Sequence, residues 1–166
     1  MIIGYAELKV RGREKITHTN SCRTRGEIFM KVFLDTNVII DFYAQREEFY
    51  RPASIIIDLA KRKEIEIVVS ATTFVNAFYI LRKKYDLTSL YDSMQGLFSL
   101  CQTTPMDKEI ISKALSAKWS DFEDCTQYFS ASTISADIIV TRNPSDFSQS
   151  EIKVSTPIEF LNLYFA

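Results

Sequence analysis

Three polar side chains interrupt an apolar stretch early in the chain. Asp35, Thr36 and Asn37 follow the apolar run 31–34, and apolar residues at helical spacing come after them. The pattern predicts a buried strand, a polar tip and a helix. Asp35 then lies at the C-terminal end of a strand, where open α/β sheets bind their ligands. Helix capping alone is the alternative for Asp35 and Thr36, because Asp and Thr are common N-caps.

A second group of carboxylates stands at the start of a later predicted helix, 121–132. Asp121 and Asp124 are three residues apart, so their side chains share a helix face. The helix dipole stabilises acids in a first turn, but Asp124 gains less from it than Asp121. Two adjacent like charges repel unless a cation, such as a divalent metal ion, lies between them. We expect Glu123 only to complete a capping box with Ser120.

The remaining reactive side chains exclude several other chemistries. Cys22, Cys101, Cys125 and His18 form neither a metal-binding spacing nor an even disulfide framework, so we expect reduced thiols. A Ser-His-Asp or Cys-His site would depend on His18, which lies in a poorly patterned segment. The chain also lacks an apolar run of the roughly 20 residues that span a bilayer. We therefore expect a cytoplasmic protein without membrane association.

The charge is unevenly distributed. Residues 1–29 carry six Lys or Arg against three acids, whereas 30–166 carry 14 basic against 18 acidic residues. We expect 1–29 to be a disordered or misassigned leader, Met30 to be the true start, and 30–166 to be one domain. An acidic domain of this kind binds phosphate only through a local basic patch or through metal ions.

Strands alternate with helices after Met30. The patterns predict strands at 31–35, 65–69, 101–104, 136–141 and 152–155, and helices at 37–44, 50–63, 71–85, 88–99, 107–117, 121–132 and from 157. This order predicts a three-layer α/β/α sandwich around a mostly parallel sheet of four to five strands. Because parallel strands end at one edge, Asp35, Ser70 and the polar loop 141–146 are expected to meet there.

Four segments of the chain together resemble one known family. They are Leu-Asp-Thr-Asn at 34–37, Val-Val-Ser-Ala-Thr-Thr at 68–73, Glu-Asp at 123–124 and Ile-Val-Thr-Arg-Asn-Pro-Ser-Asp-Phe at 139–147. In order and spacing they resemble the PIN domain, a family that includes the ribonuclease toxins of bacterial toxin–antitoxin pairs. The resemblance extends from Met30 to about Phe165.

The resemblance implies a nuclease that hydrolyses RNA phosphodiester bonds with Mg²⁺ or Mn²⁺ held by carboxylates. Asp35 would be the central metal ligand and Asp124 the second, with Asp121 as its neighbour. Asn37 would orient Asp35. A haloacid-dehalogenase type of phosphotransfer fold is a weaker alternative, because that family has a second Asp where this chain has Asn37.

The resemblance also implies a substrate side. Thr36 would donate to the site or to phosphate, Thr141 and the loop beyond it would complete the rim, and Arg142 would contact phosphate. Two amides depart from the family, since Asn76 and Asn143 stand where acids are usual. They supply no negative charge.

These departures leave a second hypothesis open. The chain could be a catalytically degenerate RNA- or protein-binding module, although Asp146 could replace the acid missing at position 143. The expected partners are RNA, a cognate antitoxin and a second copy of the chain, which would pack on the helices at 71–85 and 88–99. Asp41 is expected to be a solvated helix residue and Asp137 a strand-entry residue.

Overall fold

The computed structural model describes residues 30–166, and the leader predicted for residues 1–29 lies outside this range. The elements are β1 Lys31–Leu34, α1 Thr36–Ala44, α2 Tyr50–Lys61, β2 Glu66–Ser70, α3 Ala71–Leu81, α4 Leu87–Leu100, β3 Gln102–Thr104, α5 Lys108–Ala117, α6 Phe122–Thr133, β4 Ile138–Val140, a 3₁₀ helix Pro144–Phe147, β5 Lys153–Ser155 and α7 Pro157–Tyr164.

The sheet has five parallel strands in the order β3-β2-β1-β4-β5. This confirms the predicted α/β architecture. The chain builds the sheet outward from β1 to β3 and then crosses to the other side of β1 to form β4. The C-terminal ends of β1 and β4 therefore flank the switch point, where open α/β sheets bind ligands.

Successive side chains of β1 enter two different cores, because side chains alternate across a sheet. Val32 and Leu34 are fully buried in a large cluster with apolar residues of α1, α2, α3, α4 and α7. Phe33 is fully buried on the opposite face, with Ala131 of α6 and Phe147 of the 3₁₀ helix. Burial on both faces explains the continuous apolar run of this strand.

The N-terminus of α6 differs from the prediction. Asp121, rather than Ser120, is the N-cap, and its Oδ1 accepts hydrogen bonds from the backbone N–H groups of Glu123 at 2.8 Å and Asp124 at 3.2 Å. The predicted Ser120–Glu123 capping box is therefore wrong. With Asp121 as the N-cap, Glu123 is the second residue of the helix rather than the third, the position from which a capping-box side chain reaches back.

Other boundaries depart less from the predictions. A capping box does form between Thr156 and Glu159 at the start of α7, as predicted. Helix α3 ends at Leu81, four residues earlier than expected. Part of the polar loop 141–146 forms the 3₁₀ helix, which begins at a proline. Among residues 30–166 no helix is long and apolar enough to cross a membrane.

Candidate functional site

A cleft of about 370 Å³ opens over the C-terminal ends of β1 and β4. Its charged lining residues are Asp35, Asp121, Glu123, Asp124, Asp146, Arg46 and Arg142. The acids come from the residue that follows β1, from the start of α6 and from the 3₁₀ helix, and the arginines come from the segments that follow α1 and β4. The cleft thus combines a concentrated negative charge with two cations in its wall.

Asp35 lies at the floor of the cleft and is 3% exposed. Its Oδ1 accepts a hydrogen bond from Gln127 Nε2 at 2.7 Å, and its Oδ2 accepts from Thr141 Oγ1 at 2.7 Å and from Asn37 Nδ2. Burial raises the pKa of Asp35, although these hydrogen bonds act in the opposite direction. These hydrogen bonds fix the orientation of the carboxylate, but all three donors are neutral and do not cancel its negative charge.

Asn37 joins the ends of the two central strands. Its Nδ2 also donates to Thr141 Oγ1 at 3.1 Å, and its Oδ1 accepts from the backbone N–H of Arg142 at 3.2 Å. Thr141 Oγ1 accepts a further bond from the backbone N–H of Asn143 at 3.1 Å. This network holds Asp35 and the start of the 141–146 loop in one rigid arrangement.

Glu123 reaches into the cleft from the first turn of α6. Its Oε1 accepts hydrogen bonds from Asn76 Nδ2 at 3.0 Å and Thr36 Oγ1 at 3.3 Å, and its Oε2 accepts from Gln127 Nε2 at 3.1 Å. The expectation that Glu123 only caps its helix is wrong. Burial, followed by the charge of Asp35, raises its pKa despite these three donors.

Asp124 is 8% exposed, and its carboxylate accepts no hydrogen bond from residues 30–166. Its pKa is raised to about 8, first by burial and then by the negative charges of Asp35, Asp121, Glu123 and Asp146. This carboxylate is therefore the least compensated charge of the cleft. Without a cation nearby it holds its proton at neutral pH.

Asp35, Glu123 and Asp124, of which the first and last are buried and Glu123 is half-buried, are close enough to share one ion. One carboxylate oxygen from each of Asp35, Glu123 and Asp124 can be chosen so that all three lie within 4.8 Å of one another. Hard divalent cations such as Mg²⁺ and Mn²⁺ prefer oxygen ligands of this kind. The donor set fits such an ion, and so does the fact that no Lys or Arg of residues 30–166 forms a salt bridge with any of the three acids.

The other predicted site residues lie around this group. Asp121 is exposed and its Oδ1 caps α6, so it lies outside the group of three carboxylates. Asn143 and Asp146 are exposed residues of the cleft rim. Ser70 is buried and bonded to the Thr72 hydroxyl; it does not line the cleft, contrary to the expectation that it would join Asp35.

The prediction that Asp41 is solvated is wrong. Asp41 is 1% exposed, because Arg46 and Arg142 cover it from two loops. Gln127 was missed as well, although it follows Glu123 by four residues and therefore shares a helix face with it. That spacing was the one signal in the sequence that could have identified Gln127.

The sequence of this chain is similar to those of known proteins. The PIN domain family matches residues 31–145. Ribonuclease VapC1 of Aquifex aeolicus is 24% identical over 135 residues, which are 78% of this chain and 92% of that protein.

Two solved structures are similar in fold. One is a toxin–antitoxin complex from Klebsiella pneumoniae, with a TM-score of 0.58, 18% identity, and coverage of 76% of this chain and 97% of that one. The other is VapC20 of Mycobacterium tuberculosis, a sarcin–ricin loop cleaving toxin, with a TM-score of 0.54, 11% identity, and coverage of 65% and 86%.

Proposed function

This chain belongs to the PIN domain family, and from that premise we propose that it is a metal-dependent endoribonuclease of the VapC toxin type. One observation carries the proposal: Asp35, Glu123 and Asp124 present oxygens within 4.8 Å of one another at an open cleft. The related VapC1 protein is named a ribonuclease. The substrate we propose is an RNA phosphodiester bond.

Asp35, Glu123 and Asp124 would hold the Mg²⁺ or Mn²⁺. When bound by carboxylates, such an ion lowers the pKa of its water and stabilises negative charge on phosphate oxygens. Asp124 contributes most to affinity for a cation, because its charge is the least compensated by hydrogen bonds. Its proton must leave before the carboxylate becomes a ligand.

Neighbouring side chains keep these ligands oriented. Gln127 Nε2 donates to both Asp35 Oδ1 and Glu123 Oε2, so one amide spaces two carboxylates. Asn76 and Thr36 fix the other oxygen of Glu123. Partners of this type commonly change metal affinity about 10- to 100-fold.

The substrate side of the cleft would use positive and polar groups. Arg142 is half-buried beside the acids, and a guanidinium can donate two hydrogen bonds to one phosphate. Asn143 and Asp146 lie at the rim, where they can contact the sugar or base of a bound strand. Thr36 and Thr141 are occupied by Glu123 and Asp35, so they act by positioning acids rather than by touching RNA.

The partners we propose are an antitoxin and a second copy of the chain. A similar structure is a toxin–antitoxin complex. An apolar groove of about 450 Å³ runs between α3 and α4, where Val75 is 68% and Tyr91 is 64% exposed. We assign this groove to the second copy. Val75→Glu should convert a dimer to a monomer in light scattering, and an unchanged mass would refute the assignment.

The alternative function is a binding module without catalysis. It is favoured by Asn76 and Asn143, the two amides at positions where the family resemblance predicts acids. Such a module would bind RNA or protein but would bind Mn²⁺ weakly and cleave nothing.

Isothermal titration of Mn²⁺, combined with an RNA cleavage assay, separates the two functions. Asp124→Asn is the cleanest variant, because within residues 30–166 that carboxylate accepts no hydrogen bond that the amide would break. Asp35→Asn tests the central ligand, and Asp92→Asn, an exposed acid of α4, is the matched control.

We expect the parent chain and the Asp92→Asn control to bind Mn²⁺ and to cleave RNA. Asp35→Asn and Asp124→Asn should lose both properties while retaining the circular dichroism of the parent. Parental cleavage by both site variants would refute the proposed site. A parent chain that binds RNA but neither binds Mn²⁺ nor cleaves would establish the binding module instead.

A further inference from the structure

Another buried carboxylate lies behind the cleft and belongs to neither the metal group nor its supports. Asp41 is on α1 and is 1% exposed. Its Oδ1 accepts a hydrogen bond from Arg46 Nη1 at 3.2 Å, and its backbone carbonyl accepts one from the Arg46 backbone N–H at 3.2 Å. On the other side, Arg142 Nε lies 3.3 Å from Asp41 Oδ2.

The contact between Asp41 and Arg142 is incomplete. Asp41 Oδ2 and Arg142 Nε are both buried, and neither atom has a hydrogen bond with geometry good enough to satisfy it within residues 30–166. The guanidinium of Arg142 lies over the ring of Phe49, with its carbon 4.8 Å from the ring centroid. The ring of Phe49 therefore packs against one flat face of the guanidinium. The other N–H groups of Arg142 are not bonded to Asp41.

Both arginines remain available to a ligand. The Arg46 side chain is 41% exposed and that of Arg142 is 24% exposed, and both line the same cleft as the three acids. An RNA strand that enters this cleft is repelled by the acids, so it needs nearby cations that the acids do not capture. Arginine suits this task, because its planar fork matches the geometry of a phosphate.

We propose that Asp41 is a positioning residue that holds Arg46 and Arg142 as a paired site for backbone phosphates of the RNA strand. The phosphates in question flank the bond that is cleaved. This inference rests on the proposed function, because it needs RNA in the cleft. Asp41 itself does not touch the substrate.

The sign of one mutational effect distinguishes positioning from simple neutralisation. If Asp41 only cancels the charge of the arginines, Asp41→Asn frees that charge and RNA binds more tightly. If Asp41 positions them, Asp41→Asn releases both side chains and RNA binds more weakly, even though the net charge becomes more positive.

The experiment is fluorescence anisotropy of a short labelled single-stranded RNA with the full chain in EDTA, at several salt concentrations. EDTA removes metal ions, so the binding that remains reports the protein's own cations. The variants are Asp41→Asn, Arg46→Gln and Arg142→Gln. The matched control is Arg62→Gln, an exposed arginine outside the cleft that pairs with Glu64.

We expect each cleft arginine variant to weaken binding by about tenfold, since hydrogen bonds to charged groups are the stronger class. Each should also reduce the slope of log K against log salt by about 0.7, the value for one phosphate contact on a single strand. Asp41→Asn should weaken binding about three- to tenfold. In an Arg142→Gln background the same change should have a smaller effect, because one of its two targets is gone.

Several results would overturn this inference. Tighter or unchanged binding by folded Asp41→Asn would contradict positioning, and parental salt slopes for both arginine variants would contradict the phosphate site. If Asp41→Asn does not fold, the two arginine variants still decide the phosphate site. An equal loss in Arg62→Gln would show that the effect is general charge rather than a site.

The nuclease proposal can fail independently. A parent chain that binds RNA through both arginines but does not cleave it in Mn²⁺ would refute the nuclease and leave the phosphate site standing. A chain that cleaves RNA with an affinity insensitive to Arg46 and Arg142 would refute the phosphate site and leave the nuclease standing.

Discussion

Replacing Asp124 by Asn should make the metal-free protein more stable while removing its activity. The Asp124 carboxylate is buried, accepts no hydrogen bond from residues 30–166 and faces four other acids, so its pKa rises from 3.8 to about 8. The folded chain therefore holds this proton more tightly than the unfolded chain does. As pH rises from about 4 to about 8, the free energy of unfolding falls, because ionisation is easier in the unfolded state.

The magnitude follows from the shift in pKa. A difference of about 4 pH units corresponds to ~5–6 kcal/mol at 1.36 kcal/mol per unit. The cleft is open to water and salt, which screen the repulsion, so about half of this value is realistic. Asn resembles the protonated acid and does not ionise. We therefore expect Asp124→Asn to unfold with a free energy ~2–3 kcal/mol above that of the parent at about pH 8 in EDTA.

Urea unfolding in EDTA between about pH 5 and about pH 8 measures this difference. The gap between Asp124→Asn and the parent should widen steadily with pH, whereas the gap for the Asp92→Asn control should stay constant. Mn²⁺ at a hundred times its dissociation constant should then stabilise the parent by about 2.7 kcal/mol and the Asp124→Asn variant hardly at all.

The opposite ordering would refute the reasoning. If Asp124→Asn is less stable than the parent at about pH 8 without metal, the carboxylate makes a favourable contact in the folded chain. If the gap is independent of pH, Asp124 does not titrate between these values, and crowding of like charges would not favour a cation at this site.

Three further changes test the supports of the site and of the fold. Glu123→Gln keeps the side-chain shape but removes the charge of a proposed metal ligand. Mn²⁺ affinity measured by calorimetry should therefore fall at least tenfold, because even residues that only hydrogen-bond to metal ligands change metal affinity about 10- to 100-fold. Unchanged affinity would remove Glu123 from the site. Gln127→Leu removes the amide that spaces two carboxylates and should lower Mn²⁺ affinity about 10- to 100-fold, and an effect on stability alone would give Gln127 a purely structural role. Thr156→Ala breaks the capping box with Glu159 and should lower the free energy of unfolding by about 1 kcal/mol without changing cleavage; a loss of cleavage would contradict this separation of cap and site.

The fold could be predicted from the sequence because its signals are local. Strand β1 is marked by the apolar run at 32–34, and the Thr156 capping box marks the start of α7. The placement of Asp35 at a strand end followed from the local pattern of an apolar run, a polar tip and a helix. These features depend on periodicity and on neighbours a few residues away.

The errors came from side chains whose surroundings are distant in sequence. The segment 120–124 contains two possible N-cap residues for α6, and the local pattern does not decide between Ser120 and Asp121. Tertiary contacts decide it, because Asn76 and Thr36 hold Glu123 inside the cleft. Asp41 has no local sign of burial, since one of the arginines that cover it is about a hundred residues away in the chain.

The same contacts change the weight of the binding-module alternative. Asn76 stands where the family resemblance predicts an acid, and taken alone it suggests a site short of charge. Its Nδ2 donates to Glu123 Oε1 at 3.0 Å, so the amide of α3 orients a carboxylate that α6 supplies. An acid at position 76 would repel Glu123 at that distance. We infer that Asn76 supports Glu123 as a hydrogen-bond donor, and that the hypothesis of a catalytically degenerate binding module rests on Asn143 alone.

The Asn143 side chain is exposed, while its backbone N–H donates a hydrogen bond to Thr141 Oγ1. Asn143→Asp can therefore add charge without disturbing that bond. A large gain in Mn²⁺ affinity from this change would show that the missing acid matters, and no gain would show that Asp35, Glu123 and Asp124 suffice.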